Sequence, residues 1–439
     1  MQSAWDQVQQ APGDRGPAWL WALRERGFQR FRALGWPTLK DEEWRSTNVR
    51  PLAQTPFVLA RPGDDAPGDS NLRTFALSGD EAARLVFVNG HYRPEASDVG
   101  GLPGGALVLG LAEAIHSHGE LVRPHLEREP EAGDAFTALN AAFLEDGAFI
   151  HIPEGVQVEG LIHVLQVSTA SDPPRMSHLR HLIVAGARSR ATVIEDSVSL
   201  GESSTLSNAL TQTVVGPEAH LTHYLLEREH PGAYNISTLH ARQEAASDFE
   251  SHTALLGGGL VRNNVHLELL GEGCDSLING LFVGRGTQHL DNHMRVVHAA
   301  PNCDSRQFYK GILGDKAHGV FSGRIIVRPG AQKTDAKQTS RNLLLSDDAR
   351  IDARPQLEIY ADDVKCTHGA TTGRLDEDAL FYLRSRGLDA ASARRMLILA
   401  FAHESVERMH PKVRGLLADR IEQQLGGRLG DGGTGGPGD

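Results

Sequence analysis

The chain has 439 residues, 40% of them hydrophobic and 23% charged, which is the balance of a folded protein too long for one compact core. Its formal net charge of −12 argues against nucleic acid or an anionic membrane as the main partner, and no apolar run approaches the length of a bilayer span. Met1 to Asp6 show no secretory pattern, and the three cysteines, Cys274, Cys303 and Cys366, form no CxxC pair and imply no disulfide framework, which fits a reducing cytoplasm.

In chain order, Leu20, Leu23, Gly27, Phe31 and Leu34 share one helical face, and Gly35 and Pro37 supply stop signals. Arg61 to Asp69 is rich in Pro, Gly and Asp and reads as a linker. Leu85-Val86-Phe87-Val88 is a strand, and Asn89-Gly90 after it signals a tight hairpin turn. Leu111 to Phe143 reads as helical, with a polar break near Gly133. These segments make residues 1–145 a helical region with a short β-hairpin.

From about residue 146 to 375 the texture is β. Val156 to Glu159, Val265 to Leu269 and Leu357 to Ile359 alternate apolar and polar residues, and the runs end in Gly, Asn, Asp or Pro. The runs also repeat. Gly186 and Gly216 end similar runs 30 residues apart, Gly271 and Pro329-Gly330 follow at about two further steps each, and Cys274-Asp275-Ser276 recurs as Cys303-Asp304-Ser305. A drifting step of about 27–30 residues fits the coils of a β-solenoid, whereas a β-sandwich produces no such step. Residues 376–425 return to helix, with Asp376-Glu377-Asp378 as acidic residues suited to a helix N-terminus, Asp389 placed as a cap and Pro411 at a first turn. Residues 426–439 read as a disordered Gly-rich tail.

The sharpest chemical candidate is Cys366 with His368. On a strand the two share a face, and a thiolate and an imidazole suit one soft metal ion. Lys365 stands beside them and favours the thiolate. The bland alternative is a small buried cysteine beside a satisfied histidine. His289, His293 and His298 form a second group, read either as ligands or as polar strand faces. Cys274 and Cys303 read as small fillers of a coil corner. Asp41-Glu42-Glu43 reads as a solvated helix start rather than an acid/base pair. There is no phosphate loop, no nucleophile elbow and no flavin-binding motif.

Pro355 to Thr371, which includes Asp362-Asp363-Val364-Lys365-Cys366-Thr367-His368-Gly369, resembles the signature of the SufB/SufD family of iron–sulfur cluster assembly scaffolds. Phe381 to Leu388, Lys333 to Gln338 and Pro37 to Arg45 resemble the same family. The resemblance implies a mainly β fold: a right-handed parallel β-helix core flanked by helical N- and C-terminal regions. It implies pairing with SufB, docking of the ABC-type ATPase SufC through the C-terminal helices, and a transient iron or iron–sulfur cluster at the SufB interface. It also implies no nucleotide bound by this chain. Thr367-His368-Gly369 stands where SufB-type chains resemble Glu-His-Glu, and Ser340 to Leu345 lacks a cysteine, so the resemblance is to the SufD branch.

Cys366 and His368 are therefore the expected metal ligands, and Leu383, Met396, Leu397 and Phe401 are expected either to pack the helical domain or to meet SufC. A scaffold without catalytic residues is the leading expectation. The alternatives are a β-helical carbohydrate-active enzyme, disfavoured because no paired carboxylates appear, and a homodimeric adaptor acting without SufB.

Overall fold

The structure is a computed structural model that describes residues 1–10, 16–63, 67–77, 81–128 and 133–426. Residues 64–66 of the expected linker and residues 427–439 of the expected tail lie outside the described residues. The N-terminal part contains α1 (Gln2–Gln10), α2 (Ala18–Leu34), α3 (Arg50–Gln54), β1 (Val58–Leu59) and α4 (Asp69–Arg73). The hairpin β2 (Glu81–Val88) and β3 (His91–Tyr92) follows, then β4 (Leu107–Gly110), α5 (Leu111–Ser117), α6 (Gly119–Leu126) and α7 (Ala135–Ala142).

A run of strands comes next: β5 (Ala148–Ile152), β6 (Gln157–Thr169), β7 (Arg175–Ser177), β8 (Arg180–Ala185), β9 (Arg190–Leu200) and β10 (Thr205–Val215). It continues with β11 (His220–Arg228), β12 (Tyr234–Gln243), β13 (Asp248–Leu255), β14 (Leu260–Leu269), β15 (Asp275–Gly284) and β16 (His289–His298). It ends with β17 (Asp304–Leu313), β18 (His318–Val327), β19 (Asp335–Leu344), β20 (Arg350–Ile359) and β21 (Lys365–Gly373). Helices α8 (Glu377–Ser385), α9 (Ala390–Val406) and α10 (Pro411–Gly426) close the described chain.

From β8 and β9 onward, successive strands alternate between two sheets, so every second strand pairs with the strand one coil away. All these pairings are parallel, and they build a β-solenoid of about eight turns. Each coil is two long strands joined by corners, rather than several short runs. One residue per coil takes a left-handed conformation at the same corner: Arg188, Glu218, Ala246, Gly273, Asn302 and Lys333. Their backbone N–H groups bond to the next coil, as from Arg188 to Pro217 O at 2.8 Å and from Lys333 to Asp363 O at 2.7 Å.

This corner explains the repeat in the sequence. Gly186, Gly216 and Gly271 each precede the left-handed residue by two positions, where neighbouring coils stack backbone on backbone. A Cβ on Gly271 would lie 2.1 Å from Ala245 N. Gly330 falls one position earlier and meets nothing, so it does not belong to this series. Cys274 and Cys303 follow the left-handed residue directly, in a buried column with Ser189, Ala219, Ser247 and Thr334. They fill the corner, and their thiols donate to Gly271 O at 3.1 and 3.3 Å.

The solenoid interior is apolar over most of its length. Phe249, Phe282 and Phe321 are fully buried there, each contributing about 1.5–3 kcal/mol by transfer. The Asn89-Gly90 turn closes the β2–β3 hairpin with both residues at positive φ, as that turn requires. The hairpin is not a free-standing unit, because β2 also pairs in parallel with β6 and extends the ten-stranded sheet.

The outer sheet faces are covered differently. The segment around Trp44 docks on the eleven-stranded sheet. Trp44 stacks on Arg262 at 3.9 Å, and Thr47 donates to Asp291 at 2.5 Å. Glu43 pairs with His293, and that hydrogen bond holds its carboxyl down at about 2. The expected solvated helix start is thus corrected for Glu43, which forms part of the staple between the N-terminal region and the solenoid. Helices α9 and α10 lie on the ten-stranded sheet through Ile398, Ala402, Val406, Met409, Val413 and Leu417. Ser405 and Asn279 exchange hydrogen bonds there at 2.9 and 3.0 Å. Among the described residues, no helix is long and apolar enough to cross a membrane.

Candidate functional site

Strand β21 is the last strand of the ten-stranded sheet, and β20 is the last of the eleven-stranded sheet. Each pairs with one neighbour and leaves its other edge open. At the opposite end, β3 and β4 close the two sheets by antiparallel pairing. Strand β21 is exposed along its length except at Cys366, which is half-buried.

The register shows which way these residues point. His368 lies opposite Gln338, Gln338 opposite Gln307, Gln307 opposite Ile278, and Ile278 opposite Ser251. Every residue of that column before His368 is at most 2% exposed, so the column faces the interior. His368 holds the same inward position in a coil with nothing beyond it, and is therefore exposed. Cys366 shares its face, two residues away. Its own column runs through Ala336, and it packs beside Ile325, Val327, Ala331 and Ala361.

The structure thus brings the two expected ligands together at the mouth of the solenoid. Among the described residues, no group of three or more His, Cys, Asp or Glu side chains is arranged to hold a metal ion. Cys366 and His368 offer two donors, which is fewer than a stable cluster needs. Burial pushes the Cys366 thiol up and the charge of Asp335 adds to it, against a backbone hydrogen bond from Ala336 that lowers it. A metal bound there would have to displace that proton.

Sequence reasoning missed Gln338. Its Nε2 donates to Gln307 Oε1 at 2.8 Å, while its own Oε1 is buried without a partner, one coil beneath His368. The signal that finds it is the coil step, since residues 338 and 368 are one turn apart.

The other histidines do not form a ligand set. His289 bonds Thr47 at 2.8 Å, and His293 is paired with Glu43. His298 bonds Ser305 at 2.8 Å on the opposite face of β16.

The helical candidates separate by environment. Leu397 and Phe401 are half-buried, and Phe401 lies under the Lys310 ammonium at 4.3 Å from its ring centre. Leu383 is half-buried, and Met396 is 49% exposed. The side chains that hold α9 to the sheet are Ile398, Ala402 and Val406, four residues apart on one stripe. Helix α8 buries none of its residues. Phe381 and Tyr382 on it are 74% and 55% exposed, the most open large apolar surface near the C-terminus, and neither was singled out from sequence.

The chain is thus a parallel β-helix with one closed end, one open end and helices laid along a sheet, and Cys366 and His368 lie at the open mouth. Residues 166–401 match the SufBD core domain of the SUF system for FeS cluster assembly, and residues 4–164 match the SufBD protein N-terminal region. The chain belongs to this family, on the SufD side, and is an iron–sulfur cluster assembly protein. It is 33% identical to the iron–sulfur cluster assembly protein SufD of Escherichia coli over 92% of each chain. It is 30% identical to SufD of Bacillus subtilis over 93% of each chain. It is also 31% identical to an iron–sulfur cluster assembly SufBD family protein of Synechocystis, over 86% of this chain and 84% of that one.

Proposed function

We propose that this chain is a non-catalytic scaffold subunit that pairs with SufB through its open terminal coil and docks the SufC ATPase through its C-terminal helices. The observation that carries the proposal is the open end. Strands β20 and β21 present unpaired backbone edges, which are ready templates for strand addition by another chain. A partner that continued the two sheets would bring its own residues over Cys366 and His368.

In that assembly the two side chains supply part of the ligation of a transient iron ion or iron–sulfur cluster, the cargo being shared with SufB. Incomplete ligation suits a site that passes its product on. The chain itself binds no nucleotide in this scheme, and it works in the cytoplasm. Docking of SufC is assigned to the exposed face of α8 and α9, with Phe381, Tyr382, Leu383 and Met396 as contacts. Leu397 and Phe401 support that face from behind.

The test is co-expression of the tagged chain with SufB and SufC, followed by affinity purification and iron and ATPase assays. Recovery of a complex with ATPase activity and iron supports the proposal. Recovery of the chain alone, as monomer or homodimer, contradicts it.

A further inference from the structure

A cavity of about 200 Å³ lies between helix α6 and the outward face of the eleven-stranded sheet. On this measure about 10–15 Å³ holds one water, so the space is a chamber rather than a packing defect. Its floor is a row in register: Gln212 on β10, His240 on β12, His266 on β14 and Arg295 on β16. Arg242 and Glu268 stand in the next row but one, Arg328 borders the chamber just past β18, and His125 and Arg128 close it from the α6 side.

Three buried nitrogens of these lining residues have no hydrogen-bond partner: His240 Nε2, His266 Nδ1 and Arg242 Nε. Buried orphans are rare, because each gives up its bonds to water and receives nothing in return. The two imidazoles stack with ring centres 4.7 Å apart. Each can present an N–H at its unpartnered nitrogen by choice of tautomer.

The charge around the chamber is one-sided. Arg128, Arg242, Arg295 and Arg328 line it, against Glu268 as the one carboxylate among the described lining residues. The repulsion is felt locally. Burial, followed by Arg180 and Arg295, pushes His240 down to about 3, and burial, followed by Arg128, lowers Arg242.

We propose that this chamber binds a phosphate-bearing small molecule, with Arg128, Arg242, His240 and His266 as its donors. These donors come from β12, from β14 and from the end of α6, so they face the space from the sheet and from the helix side instead of lying in one plane. That arrangement suits a tetrahedral oxyanion better than a planar carboxylate.

The experiment is calorimetric titration of the full chain with sodium pyrophosphate at fixed ionic strength, with inorganic phosphate and citrate as parallel arms. Saturable pyrophosphate binding, tighter than citrate binding, is expected. Arg242→Gln and Arg128→Gln should each weaken it by about 10-fold or more, the scale of losing one charged hydrogen bond. Arg128 is exposed beyond the end of α6, so its variant tests the site independently of the sheet. Absence of saturable pyrophosphate binding, citrate binding of equal or greater affinity, or unchanged affinity in both variants would each overturn the proposal.

Discussion

His368 on β21 stands in register over Gln338 on β19, so the last residue of a buried interior column is also the first residue a partner would meet. Lys365 donates its N–H back to Thr334 O at 2.8 Å. Alternate residues Cys366, His368 and Ala370 therefore turn their backbone groups toward the open edge.

That geometry predicts the effect of a proline at the edge. Ala370→Pro removes an N–H that the inner ladder does not use, so the chain should still fold, with a thermal midpoint within a few degrees of the parent. Co-purification with SufB should be lost. Undiminished complex formation would show that the partner does not pair with this edge.

The C-terminal helices give a prediction about stability. Ile398 is fully buried between α9 and the sheet, and Met396 is half-exposed two residues away. Ile398→Ala should lower the unfolding free energy by about 2–5 kcal/mol, and Met396→Ala by less than about 0.5 kcal/mol. Denaturant titration of both variants checks the contrast. Removing residues 376–425 outright would uncover the apolar sheet face beneath them, so point substitutions separate docking from folding better than truncation.

Docking itself is tested by charge on the exposed surface. Phe381→Asp with Tyr382→Asp should abolish co-purification of SufC while the melting temperature stays within a few degrees, because neither side chain is buried. SufC retained at the parental ratio would place its docking surface elsewhere.

Acid sensitivity follows from buried histidines. Burial pushes His178 down to about 3 and His298 down to about 4, from an ordinary value of 6.5. Between those values the unfolded chain binds a proton that the folded chain refuses. Stability is therefore complete above about pH 6.5 and falls as the pH drops toward 4, by up to about 1.4 kcal/mol per pH unit for each such histidine. Thermal midpoints measured from pH 7 to pH 4 should decline, and His298→Gln should shallow the decline. A flat profile would contradict the burial of these rings.

Much of this architecture was legible in the sequence because the solenoid corner leaves a mark. Gly186, Gly216 and Gly271 recur where backbones stack too closely for a side chain. Cys274 and Cys303 recur because the next position admits only small groups. The two-strand coil was harder to see, since inward residues such as Gln307, Gln338 and Asn292 are polar and break the apolar alternation that marks a strand. The same polarity hid Gln338 beneath the candidate site. Glu43 misled for a different reason: its partner His293 lies 250 residues away, and local charge patterning carries no trace of it. On α9, Leu397 and Phe401 look equivalent to Ile398 by hydropathy, and only the docked helix separates the sheet-facing stripe from the rest.

The most direct test of the central claim is His368→Ala in the chain co-expressed with SufB and SufC. The claim is that the open coil forms half of a shared cluster site. The complex should assemble in parental yield, because His368 is exposed in its own chain. Iron and acid-labile sulfide recovered per complex should fall severalfold. A variant complex carrying the parental amount of both would contradict the role assigned to His368 and to the mouth of the solenoid.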